Sequence, residues 1–253
     1  MGDVSVTSES DFVTTVEIRR GPNNFFDVSL IRELAEIFTT LDTDERCRAI
    51  VLASEGKNFC AGAVLGPESG MGSSERRKLY GECLHLFSGM KPVVAAIQGA
   101  AIGGGLGLSL VADFRITSSE SRLSANFARF GFFPGFGLTK TLPALVGHQK
   151  AMELLYTGKR ISGEEAFRIG LSDVVTSTET IRSEAQKFAR EISLSAPLSV
   201  NELRRSLHGI SVSELRAAME HEADIQDKLE KSEDFPEGLK AMQERRIPNF
   251  QGK

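Results

Sequence analysis

The segment VVAAIQGAAIGGGLGLSLVADF, residues 93–114, constrains the fold more than any other stretch of this chain. It lies in an uncharged run from residue 92 to 112, and these 21 residues would be long enough to cross a bilayer as a helix. Five glycines weaken such a helix, and the β-branched residues at its start favour a strand. We therefore predict a strand ending at Ile97, a glycine turn, and a helix beginning near Gly103 or Gly104, with no membrane partner.

The glycine turn has three possible uses. A dinucleotide site is disfavoured, because the order here is GGGLG and not GxGxxG. A second use is anion binding, because free backbone N–H groups at the start of a helix can hold an anion or an oxygen that gains negative charge. The third is structural: the glycines also fit a tight turn that only allows close packing. A second small-residue turn, Ala61-Gly62-Ala63, follows the predicted strand 48–54 and could supply a second donor.

Alternating strand and helix patterns surround these two turns. Further short strands are predicted at 12–18, 113–119 and 172–176, and helical spacing is found from Leu30 to Leu41, near 74–88 and near 148–157. Ser162 and Glu165 have the spacing of a capping box at the start of one more helix. This order indicates an α/β core.

Beyond about residue 180 the strand pattern stops, and three amphipathic helices are predicted. We divide the chain into a core over residues 1–189 and a helical region over residues 190–253. The apolar helix faces of the second region need a partner, either the core or another subunit.

Composition excludes several functions. A formal charge of −4 and the absence of a basic block give no support to a nucleic-acid partner. The three cysteines form no CxxC pair, no zinc-type Cys/His spacing occurs, and the N-terminal segment is polar, so we expect a cytoplasmic protein without a metal site.

Five motifs, in order along most of the chain, resemble those of the crotonase family, the enoyl-CoA hydratases and isomerases. They are FCAGA (59–63), IQGAAIGGGLGL (97–108), PGFGLTKTLPALVG (134–147), AMELLYTGKRISGEEAFRIGLSDVV (151–175) and DFPEGLKAMQERRIPNF (234–250). The resemblance implies a spiral of ββα turns, C-terminal helices that mediate a homotrimer or a hexamer, and an acyl-CoA thioester as ligand, with no cofactor beyond the coenzyme A of the substrate.

The resemblance also assigns roles to individual residues. Ala63 and Gly104 fall at the two backbone N–H donors of an oxyanion hole for the thioester carbonyl. Four further positions are implied to contact coenzyme A: Asn23, Ala61, Met242 and Arg245.

The usual carboxylates of the family are missing. The two hydratase glutamates correspond to Gly107 and Phe127, and the aspartate of dienoyl isomerases corresponds to Gly135. A standard hydration by a glutamate pair is therefore not supported. The remaining acid or base candidates are Glu68, which follows the first donor turn, and Glu82 and His85, which are three residues apart on the predicted helix near 74–88. Glu75, Tyr80 and Asn126 are further polar candidates.

Five phenylalanines between residues 126 and 136 either line an acyl pocket or only fill the core. Two functions stay open at this point. The first is an enzyme that stabilises a thioester enolate or oxyanion, and the second is a non-catalytic protein that binds CoA thioesters.

Overall fold

The computed structural model describes residues 2–8, 11–64, 71–207 and 209–253, and in these residues nine strands form two sheets. The strands are β1 (Val4–Ser8), β2 (Val13–Ile18), β3 (Ala49–Ser54), β4 (Val93–Ile97), β5 (Ala100–Ile102), β6 (Phe114–Ser118), β7 (Arg122–Ser124), β8 (Ile161–Ser162) and β9 (Val174–Thr176).

Ten α-helices and a short 3-10 helix (Asn126–Phe130) accompany the sheets in the same part of the chain. The α-helices are α1 (Val28–Thr43), α2 (Ser73–Phe87), α3 (Gly104–Ser109), α4 (Leu138–Val146), α5 (His148–Thr157), α6 (Gly163–Arg168), α7 (Ile181–Ser193), α8 (Pro197–Leu207), α9 (Val212–Leu229) and α10 (Asp234–Gln243).

The large sheet has the order β1-β2-β3-β4-β6-β9, in which only β1 and β2 are antiparallel. The small sheet has the order β5-β7-β8. Strands β4 and β5, and then β6 and β7, each place one strand in the large sheet and the next in the small one before a helix follows. These repeated strand–strand–helix turns confirm the predicted α/β spiral.

The four inner strands of the large sheet, β2, β3, β4 and β6, are largely buried on both faces. In β3, Ile50 and Leu52 point into the main core, which α1 and α2 cover, whereas Val51 points into a second core beneath α7. Successive side chains of a strand point to opposite faces, so a continuous apolar run such as AIVLAS predicts a strand covered on both sides.

Most predicted elements of the core are confirmed to within a residue or two. Strand β4 ends at Ile97 and α3 begins at Gly104, as predicted for the glycine-rich segment. The capping box at Ser162 is only half formed, because Ser162 Oγ accepts from the N–H of Glu165 while the Glu165 carboxylate pairs with Arg168 at 2.7 Å. No helix among the described residues is long and apolar enough to span a bilayer.

Four helices follow residue 180 in the described part of the chain, one more than predicted, and three of them pack onto the core. The predicted division after residue 189 falls inside α7, and this helix covers one face of the large sheet. Helix α9 packs against α2, and α10 packs against the 3-10 helix. Both helices therefore reach the region of the donor turns.

Candidate active site

Two backbone turns lie side by side where the two sheets meet. Cys60 pairs with Ala101 in a parallel bridge, in which the Cys60 N–H donates to Ala100 O (2.9 Å) and the Ile102 N–H donates to Cys60 O (3.0 Å). Beyond this bridge, Gly62 lies against the start of α3, since a Cβ atom at Gly62 would be 3.4 Å from Gly104 N. The two turns that the sequence presents separately are thus neighbours in space.

Glycine is required at two positions of this pair of turns. Gly103 precedes α3 with φ 56° and ψ −120°, a conformation that L-residues rarely adopt. Gly62 has φ 93°, and a Cβ atom there would lie 2.8 Å from Ile102 O and 3.4 Å from Gly104 N. A side chain at Gly62 would therefore separate the two turns.

The N–H groups of Ala63 and Gly104 have no hydrogen-bond acceptor within residues 2–8, 11–64, 71–207 and 209–253. Gly104 is the first residue of α3, where a backbone N–H has no partner within the helix. Both residues line one cavity of about 420 Å³, which we call the central cavity. A bound oxygen acceptor would satisfy both donors.

The walls of the central cavity are mainly apolar and aromatic. Four of the five phenylalanines singled out in the sequence line it, and the fifth, Phe133, instead contacts the His221 ring. The four are Phe127, Phe130, Phe132 and Phe136. Phe25 and Phe26 line it as well, so the cavity suits an apolar or aromatic group.

Helices α2 and α9 supply buried polar groups to the same cavity. Tyr80 Oη donates to Gln226 Oε1 over 2.8 Å. The Arg76 guanidinium is also buried in the wall, but it is neutralised by Asp227 (2.5 Å) and Glu230 (2.8 Å). Burial raises the pKa of Tyr80, and the nearby Glu222 carboxylate raises it further, so its hydroxyl stays protonated at neutral pH.

Glu222 is itself fully buried behind this wall. Its Oε1 accepts from the N–H (3.0 Å) and the Oγ1 (2.6 Å) of Thr139, and its Oε2 accepts from the N–H of Gly137 (2.8 Å). These donors lie at the start of α4, so Glu222 connects α9 to the first turn of α4. Burial raises the pKa of this carboxyl to about 7.

Of the four predicted coenzyme A contacts, two line the central cavity and two do not. Ala61 lines the cavity, and its N–H donates to the backbone oxygen of Asn23 over 2.9 Å. Met242 of α10 also lines the cavity and is half exposed. Arg245 follows this helix with a positive φ of 53°, and its side chain is exposed outside the cavity lining.

The three acid or base candidates have different positions. Glu82 pairs with Arg32 of α1 over 2.8 Å, and His85 is exposed on the same helix as Glu82, so neither side chain lines the central cavity. Glu68 lies outside the described residues. Within the part of the chain that the structure describes, no carboxylate side chain lines the cavity.

The positions where the resemblance implies carboxylates are occupied in other ways. A Cβ atom at Gly107 would lie 2.6 Å from Phe136 Cβ, and one at Gly135 would collide with the Tyr80 hydroxyl. Phe127 is buried and lines the cavity. Aromatic groups thus fill all three positions.

Sequence reasoning missed three polar residues of the lining: Arg76, Gln226 and the exposed Arg160. Arg76 could have been predicted as a site residue, because it is a charged residue on a buried face of α2. No local pattern predicts Gln226, because its partner Tyr80 is 146 residues away in the chain. Among the described residues, no group of three or more His, Cys, Asp or Glu side chains is placed to hold a metal ion.

A spiral of strand–strand–helix turns beside an apolar cavity defines the class of fold, and comparisons identify the family. The sequence model of the enoyl-CoA hydratase/isomerase family matches residues 8–253. The chain belongs to this family, whose members named below are enzymes acting on CoA thioesters, and its resemblance to the crotonases is thereby confirmed.

Individual relatives agree with this assignment. A probable enoyl-CoA hydratase of Bacillus subtilis is 32% identical over 247 residues, covering 95% of this chain and 96% of the relative. The crotonyl-CoA hydratase of Syntrophomonas wolfei is 33% identical over 232 residues, covering 90% and 89%. The crystal structure of an enoyl-CoA hydratase/isomerase from Pseudoalteromonas atlantica superposes with a TM-score of 0.89 at 27% identity, covering 99% of this chain and 100% of that one.

Proposed function

We propose that the protein is an acyl-CoA enzyme in which the N–H groups of Ala63 and Gly104 bind the thioester carbonyl oxygen and stabilise the charge that develops on it. One observation carries the proposal: the two N–H groups lie on adjacent turns, have no acceptor among the described residues, and belong to residues that line the same apolar cavity. An enolate or a tetrahedral intermediate places negative charge on that oxygen, where preorganised donors act most strongly.

The acyl chain would occupy the phenylalanine-rich part of the central cavity. Asn23, Ala61, Met242 and Arg245 are proposed to contact the coenzyme A portion. The exposed position of Met242 and Arg245 at the end of α10 supports this, because the long coenzyme A chain must leave the cavity on an open side.

Proton transfer in this site requires a group other than the usual glutamate pair. Tyr80 is held protonated by burial, which makes it a poor base. Glu82 and His85 point away from the cavity lining, so we propose Glu68 as the acid or base to test, on the basis of its position five residues after Ala63.

The test is mass spectrometry of saturated, 2-enoyl, 3-enoyl and aryl CoA thioesters incubated with the protein in deuterium oxide. We expect deuterium at the α carbon, or a new product, for at least one class. Glu68→Gln should abolish this signal, whereas Glu75→Gln, a carboxylate that forms an exposed ion pair with Lys78, should leave it unchanged.

The lack of a cavity carboxylate among the described residues favours a second candidate function, a binding protein for CoA thioesters without catalysis. The same experiment separates the two. Thioester binding without exchange or product across the panel would establish the binding protein, and failure of CoA and all thioesters to bind at millimolar concentration would overturn both functions.

We also propose that the chain assembles as a homotrimer or as a hexamer of two trimers. Helix α8 buries none of its residues in the single chain, and Leu198 and Leu207 are 81% and 77% exposed. Burial of these side chains against another subunit would remove this apolar surface from water. Light scattering should give three or six times the 27.5 kDa chain mass, and a monomer would refute the assembly.

A further inference from the structure

Tyr80 and Gln226 form a hydrogen-bonded pair whose direction the structure fixes. The Nε2 group of Gln226 donates to the carbonyl oxygens of Phe133 (2.9 Å) and Pro134 (3.2 Å). Both amide hydrogens are thereby used, so Oε1 must face Tyr80 and accept the tyrosine proton, at 2.8 Å. The pair cannot be reversed without leaving buried groups unpaired.

The Tyr80 hydroxyl has no proton left to donate, so its oxygen can only accept a hydrogen bond from a bound group. A hydroxyl has one proton and two lone pairs, and the only proton is held by Gln226. The oxygen also fills the space into which a side chain at residue 135 would project, because a Cβ atom at Gly135 would collide with it. Tyr80, Gly135 and Gln226 all line the cavity.

This arrangement distinguishes between groups on a bound acyl chain. A carbonyl or carboxylate on the chain would compete for the tyrosine proton and leave Gln226 Oε1, on a residue only 2% exposed, without a donor. A hydrogen-bond donor on the acyl chain would instead bond to the Tyr80 oxygen and leave the bond between Tyr80 and Gln226 intact. An ammonium donor is disfavoured because no carboxylate among the described residues lines the cavity to pair with it.

We propose that Tyr80 is a specificity-determining residue whose oxygen accepts a hydrogen bond from a hydroxyl group on the acyl chain. This rests on the acyl-CoA site proposed above, and it adds a chemical preference to that site: hydroxylated acyl thioesters bind more tightly than their counterparts without the hydroxyl. A water molecule is the other O–H donor that could occupy the same position.

The test compares the affinities of two ligand pairs by calorimetry: 3-hydroxybutyryl-CoA with butyryl-CoA, and 4-hydroxybenzoyl-CoA with benzoyl-CoA. We expect the unchanged protein to prefer the hydroxylated ligand of at least one pair by roughly three- to tenfold, the effect of one neutral hydrogen bond. Tyr80→Phe keeps the ring and should remove the preference while changing the affinity for the counterpart by less than about twofold.

The chain supplies a matched control, because it contains only two tyrosines and the other, Tyr156, is 74% exposed. Tyr156→Phe should retain the full preference. The paired affinities of the unchanged protein test the preference without any variant, so the result does not depend on how stable Tyr80→Phe is.

Three outcomes would overturn the proposal. If the thioesters without the hydroxyl bind, and the hydroxylated thioester of neither pair binds more tightly, only the proposed role of Tyr80 is refuted. If, in addition, Tyr80→Phe slows hydration of crotonyl-CoA, the acceptor serves water and not the acyl chain. If no thioester binds, the proposed function fails as well.

Discussion

The substitution Gly104→Ala adds one methyl group at the proposed donor site. The nearest side chain to this methyl group is Phe26. An ideal Cβ atom at Gly104 would lie 2.5 Å from Cζ and 3.0 Å from Cε1 of Phe26. Carbon atoms in contact are normally about 3.5–4.0 Å apart, so the ring must move by about 1 Å. Phe26 is buried against Phe136, with ring centroids 5.4 Å apart, so its ring can move only toward the central cavity that it lines.

We expect Gly104→Ala to lower the free energy of unfolding by about 1–3 kcal/mol, the usual cost of overpacking a well-filled core. The backbone conformation adds no strain, since φ at Gly104 is not in the left-handed region. Relieving the contact also shifts the residue 104 N–H. Loss of an oxyanion donor costs about 10²- to 10³-fold in kcat, so a misaligned donor should cost at least about tenfold.

The assays are urea unfolding and turnover of whichever thioester shows exchange in deuterium oxide. Gly81→Ala is the matched control, because a Cβ atom there has no neighbour within 4 Å and the residue lies inside α2. This control should be more stable than the unchanged protein by about 0.5–1 kcal/mol and equally active.

A double-mutant cycle identifies the cause of the effect. Phe26→Leu removes the ring atoms that the new methyl group meets, so combining it with Gly104→Ala should cost about 1 kcal/mol less than the two single changes together. Unchanged stability and turnover in Gly104→Ala, or strict additivity in the cycle, would refute the reasoning.

Three further predictions concern other parts of the structure. Gly107→Glu, which places a carboxylate where the family resemblance implies one, should destabilise by about 1–3 kcal/mol in urea unfolding and give no hydratase activity, because Phe136 occupies the space. Burial raises the pKa of Glu222 from 4.5 to about 7, so the stability linked to its proton is fully present below pH 4.5 and is lost as the pH rises through 7. From pH 4.5 to 7.5 the free energy of unfolding should therefore fall by up to about 3 kcal/mol more than in Glu222→Gln, and equal slopes would contradict this. Burial raises the pKa of Cys60 to about 12, and all three thiols are buried, so native protein should not react with a thiol reagent within the time in which urea-unfolded protein reacts fully.

Local patterns in the sequence determined most of the core elements. The apolar runs at β3 and β4 predict buried strands, and the glycines after Ile97 predict a turn followed by a helix, because these preferences act over a few residues. The short strands β5, β7 and β8 were not predicted. Two or three residues are too few to show a period, and such strands form only because a neighbouring strand pairs with them.

The candidate site could be predicted only where it depends on backbone turns. The sequence pointed to Ala63 and Gly104 as possible donors, but their adjacency depends on the register of Cys60 opposite Ala101, which pairs residues 41 positions apart. Helical spacing correctly places Glu82 and His85 on one helix, yet it cannot say which face of α2 meets the cavity.

The pairing of Tyr80 with Gln226, and the loss of space at Gly107 and Gly135, were decided by tertiary structure alone. Local preference fixes backbone conformation over a few residues. Contacts between side chains that are distant in the sequence depend on how the helices pack. Packing determines which face of each helix is buried, and local sequence preference alone does not.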